Sequence, residues 1–75
     1  MGLLVRQALL DALEARYEAE VSAAHAIIKV YLENPVGIGE HPQHLDELDK
    51  QFGKIAEAEE ILKALEDFQL DRKEM

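Results

Sequence analysis

Apolar residues recur at three- and four-residue steps through two long stretches of this chain, separated by a segment, ENPVGIGEHPQH (residues 33–44), that breaks the pattern. From Leu3 to Glu33 there is neither Pro nor Gly, and Leu10, Leu13, Tyr17, Val21, Ala24, Ile28 and Tyr31 form one continuous stripe. This spacing predicts a first helix over about residues 3–33. Asn34-Pro35 ends it, because a proline ring disfavours α geometry in the residue before it. Leu45, Leu48, Phe52, Ile55, Leu62 and Leu65 carry a second stripe, which predicts a helix over about residues 42–70 and a fraying tail over 71–75. Pro42 suits its first position, where no N–H is needed, and Asp46, Glu47 and Asp49 sit near the positive end of its dipole. Gly53 interrupts the second helix at a cost of about 1 kcal/mol relative to Ala, as a close approach by another helix would require. The expected fold is therefore all-α: a single domain over 1–75, folded as an antiparallel αα-hairpin. The connection over 34–41 is read as a structured turn. Gly37 and Gly39 supply positive φ within it, Asn34, Pro35 and Pro42 bound it, and Val36 and Ile38 fold under to cap the hairpin.

The first helix has a second apolar side. On a wheel of about 100° per residue, Gln7, Asp11, Glu14, Glu18, Ser22, His25, Lys29 and Glu33 share one narrow polar sector. Opposite runs the large-residue stripe, and between them lies a run of small residues: Ala8, Ala12, Ala15, Ala19, Ala23 and Ala26, ending at Val30. One partner helix cannot cover both. Flanked by Leu9 and Ile27, the alanine face would leave a large apolar patch on a lone hairpin, and packing it on the same face of another copy would complete a homodimeric four-helix bundle. Alanine is also the best helix former, but propensity alone would scatter it around the wheel. Both helices are most apolar far from the turn, at Leu3–Leu13 and at Ile61, Leu62, Leu65 and Phe68. Contact between copies is expected to concentrate there.

At 75 residues the chain is near the size where a single core is marginal and association makes up the deficit. A hydrophobic share of 48% with 32% charged residues fits a globular helical chain. Sixteen Asp and Glu against eight Lys and Arg give a formal charge of −8, which repels phosphate backbones and anionic membranes. Nucleic acid and membrane are thus poor partners, whereas a basic protein is an admissible one. No apolar run approaches the ~20 residues of a membrane span. The amino-terminal MGLLVRQALL carries Arg6 where an acylation motif needs Ser or Thr, and it lacks the architecture of a cleavable leader. A cytoplasmic location is expected.

Two polar residues, Arg16 and Glu20, lie inside the apolar arc of the first helix, one turn apart. Di-iron bundles place Glu-x-x-His on facing helices, but Ala23 follows Glu20 at that spacing and Leu62 follows Glu59. The better reading is that Arg16 pairs with Glu20 or with an acidic residue of a neighbouring copy, fixing register at the boundary. Arg16→Leu would then alter the size or melting point of the oligomer. Glu40, His41 and His44 form the one weak candidate for Zn²⁺ or Ni²⁺, short of the usual four ligands. Ser22 is the single Ser and there is no Thr or Cys, so no nucleophile–base relay exists and no enzyme is expected. The glycines of GIGEHP lack a following GK[ST], and Glu40 would repel a phosphate. No cofactor is implied.

The stretch ENPVGIGEHPQHLDELDKQFGKIAEAEEIL resembles small hairpin proteins of tailed phages, including marine T4-like phages. In these an NPVGxGEH turn joins a first helix to a second of IDKxxxKIAEAEEKL type. The resemblance spans about residues 30–65, with Asn34–His41 its most specific part. It implies a helical hairpin of phage origin, in host cytoplasm or virion, and no catalysis. The expected role is a structural, self-associating protein. An acidic adaptor for a basic partner is the alternative, and a weak metal binder using the histidines beside the turn is the second.

Overall fold

The computed structural model describes residues 2–33 and 43–74. Both segments are helical throughout: α1 spans Gly2–Glu33 and α2 spans Gln43–Glu74. The turn residues Asn34, Pro35, Gly37, Gly39 and Pro42, with the Val36 and Ile38 cap, lie outside the described residues. α2 runs past the expected end at residue 70, because nothing in DRKE breaks a helix. Asp46 occupies its first turn, where a carboxylate meets the positive end of the dipole.

Contacts at opposite ends fix the direction of packing. The rings of Tyr31 and His44 meet edge to face, 5.5 Å between centroids at 83°. At the other end the Arg6 guanidinium stands 5.4 Å above the Phe68 ring. One contact joins the end of α1 to the start of α2 and the other joins the reverse ends, so the helices are antiparallel. The particle measures 54 × 18 × 15 Å, a rod two helices wide.

Ala24 and Ile28 of α1 meet Ile55 of α2 at the centre of the seam, with Leu48 packed against them. Ala58 is also buried. On α2 the buried and half-buried positions are His44, Glu47, Leu48, Gln51, Ile55, Ala58, Ile61, Leu62, Leu65 and Gln69, and all but Glu47 and Ile61 fall at alternating steps of four and three. That heptad spacing keeps one seam facing the partner helix over the whole length.

This corrects the sequence reading of α2. Phe52, expected in the core, is 55% exposed, and Leu45 is 74% exposed, while Gln51 is only 2% exposed. The two registers share Leu48, Ile55 and Leu62 and differ in what else they bury. The apolar-looking one, through Leu45 and Phe52, would also turn Glu59 and, one heptad on, Glu66 inward. Burying an unpaired carboxylate costs far more than burying a neutral amide, so α2 rotates to leave both in water and accepts Gln51. Alanine at 24 and 58 then lets the backbones approach closely. On α1, Leu10, Tyr17, Val21 and Tyr31 line the seam half-buried, and Leu13 lies at its margin.

Gly53 does not mark a close helix approach: a Cβ built there meets nothing within 4 Å. It spends backbone entropy without a packing return. Gly53→Ala is expected to stabilise the protein by about 0.5–1 kcal/mol, read as a higher urea midpoint with an unchanged slope.

The rod shape leaves much surface uncovered. The radius of gyration is 17.0 Å, against about 11 Å for a compact chain of this length. Its accessible area is 6071 Å², whereas a folded monomer of 8.5 kDa exposes about 4,700 Å². Among the described residues no large side chain is fully buried.

Candidate self-association surface

The seam with α2 uses one side of α1. On the other side Ala8, Ala12, Ala15, Ala19, Ala23 and Ala26 are all exposed. So are Val5, Leu9 at 63% and Val30 at 55%, with Ile27 at 37%. The two apolar sides read from the sequence are therefore both real, and α2 covers only the large-residue one. Ala26, Ile27, Val30 and Tyr31 line a shallow, almost wholly apolar depression near the turn end.

Between this face and α2 lies a groove lined by Tyr17, Glu20, Ala23 and Ile27 of α1 and by Gln51, Lys54 and Glu57 of α2. Glu20 therefore stands at the join between the alanine face and the groove. Arg16 and Glu20 are both exposed. Among the described residues the side-chain hydrogen bonds run from Gln7 Nε2 to Asp11 Oδ1 at 2.9 Å and from Gln51 Nε2 to Glu47 Oε1 at 2.8 Å; neither engages Arg16 or Glu20.

Gln51 is the functional-looking residue that the periodicity did not single out. Its amide donates to Glu47, but its Oε1 is buried with no partner. An unsatisfied buried carbonyl costs about 1–3 kcal/mol. A polar residue at a seam position trades stability for one register over its neighbours. The signal was present in Glu59, the misfit in the apolar register. Gln51→Leu is expected to stabilise the hairpin by about 1–2 kcal/mol, measured by chemical denaturation at fixed chain concentration; a loss of stability would mean that the amide has a partner.

Of the metal candidates, Glu40 and His41 lie outside the described residues. His44 is half-buried rather than solvated, its ring against Tyr31 and its Nε2 buried without a hydrogen-bond partner. The described residues hold no group of three or more metal-ligating side chains. No described helix is long and apolar enough to cross a membrane. What this surface offers is contact area, close backbone approach and two flanking charges of opposite sign. No family of related sequences, no curated protein and no solved structure matches this chain.

Proposed function

We propose that this chain is a small non-catalytic structural protein that self-associates through α1, two hairpins forming a four-helix bundle. The observation that carries the reading is the continuous apolar face of α1 turned away from α2. A stable interface buries about 800 Å² per partner, and the rod exposes about 1,400 Å² more than a compact chain of its mass. Enough surface is therefore open to be covered once more. The resemblance of the Asn34–His41 turn to phage hairpins is the ground for a phage accessory role.

Size-exclusion chromatography with light scattering tests the reading. The expected mass is twice the 8.5 kDa of one chain and holds when salt is raised, because apolar burial is not screened. A single-chain mass at every concentration up to millimolar would remove it. A single chain retained by basic proteins at low salt would favour the acidic adaptor instead.

A further inference from the structure

The apolar face of α1 has a symmetry of its own. From Ala8 through Ala12, Ala15, Ala19, Ala23 and Ala26 to Val30 the intervals are four, three, four, four, three and four, the same in both directions. A two-fold axis crossing this face at Ala19 lays Ala12 over Ala26 of a second copy, Ala15 over Ala23, Ala8 over Val30 and Ala19 over itself. Small residue meets small residue along the seam, and the backbones can close on each other for six turns. The large side chains at the margin obey the same operation. Leu9 and Ile27, both exposed, come within two residues of the same level, about 3 Å along the axis.

Charge chooses between this arrangement and a parallel one. Antiparallel rotation brings Arg16 beside the second copy's Glu20, and Glu20 beside the second copy's Arg16, on the groove margin of the seam. On the opposite margin it brings Asp11 beside the second copy's Lys29. A parallel two-fold pair would instead set the Arg16–Glu20 margin of one copy against the Asp11–Lys29 margin of the other, so neither reciprocal pair would form. Two pairs of unlike charges across the seam therefore favour the antiparallel orientation.

We infer that the occupant of this face is a second copy of the chain docked antiparallel, on a two-fold axis through Ala19, with Arg16 and Glu20 pairing reciprocally across it. This rests on the self-association proposed above and adds its direction and register.

Single cysteines test it cleanly, since the chain has none of its own. Under mild oxidation Ala19→Cys should cross-link to a covalent dimer. Ala12→Cys alone should not, because its two copies stand about 20 Å apart, beyond the roughly 7 Å that a disulfide tolerates between Cα atoms. Ala12→Cys mixed with Ala26→Cys should cross-link. In a second arm, Arg16→Glu and Glu20→Arg should each weaken the dimer about tenfold, and the double exchange should restore the parent affinity. Cross-linking of Ala12→Cys with itself overturns the antiparallel direction. A parent that is dimeric while Ala19→Cys stays uncross-linked overturns the register. Failure of the exchange to restore affinity overturns the reciprocal pair. All three leave self-association standing. A parent that runs as single chains instead removes the reading beneath.

Discussion

Ala19→Glu is expected to turn the protein into single chains, with a light-scattering mass of one 8.5 kDa chain at concentrations where the parent runs as two. Ala19 is exposed on the hairpin, so a longer side chain there meets no atom of its own chain. Replacing Ala by Glu in a helix costs only a few tenths of a kcal/mol in propensity. The hairpin should therefore keep its helical circular dichroism. Across the seam the effect is large. Two carboxylates face each other at the two-fold axis, each stripped of water with no cation to meet, and the spacing that allowed close approach is lost. Burying an uncompensated charge is worth about 3–5 kcal/mol, so the dissociation constant should rise by more than about 100-fold. His25→Glu is the control. It adds negative charge to the exposed polar sector of α1, away from both apolar sides, and it should leave the dimer intact. Equal responses from the two variants would mean that added negative charge, not the alanine face, governs association.

Most of the fold was legible because each helix is long and uninterrupted, and the breaks are chemically blunt. Asn34-Pro35 and the glycines after it leave no other place for the chain to reverse. The two sides of α1 were legible for the same reason: six alanines at helical steps cannot be placed on one face by chance propensity. The rotation of α2 was not. Periodicity ranks residues by apolarity and so favours Phe52 and Leu45 over Gln51 and His44. The seam is chosen instead by the most expensive residues it would have to bury. Two carboxylates, Glu59 and Glu66, outweighed two large apolar side chains, and the amide of Gln51 became part of the core as a consequence. Arg16 and Glu20 were visible as misfits in the arc, and both are exposed on α1. The symmetry about Ala19 was present in the spacing, but it became informative only once the structure showed which side of α1 is left open.

Ile55→Ala should be the most damaging single truncation within the hairpin, and comparison with Phe52→Ala decides which face of α2 looks inward. Ile55 is 8% exposed and packs with Ala24 and Ile28. Buried Ile-to-Ala truncations cost about 2–5 kcal/mol, depending on how far the site collapses. A seam only two helices thick is open at both sides, so water and neighbouring side chains can relax into the gap, and the expected loss is near 2–3 kcal/mol. For a chain of this size that lowers the thermal midpoint by roughly 10–20 °C. Phe52 is the larger side chain, and area alone would make it the costlier loss. It stands more than half exposed, so little of that area leaves water on folding, and Phe52→Ala should cost under about 1 kcal/mol. The order of the two midpoints carries the result. If Phe52→Ala melted first, α2 would present its Leu45–Phe52 side to α1, Glu59 would be drawn toward the seam, and the burial of Gln51 would be wrong with it. If Ile55→Ala melts first by ten degrees or more, the charges at Glu59 and Glu66 have set the rotation of the helix against the preference of its two most conspicuous apolar residues.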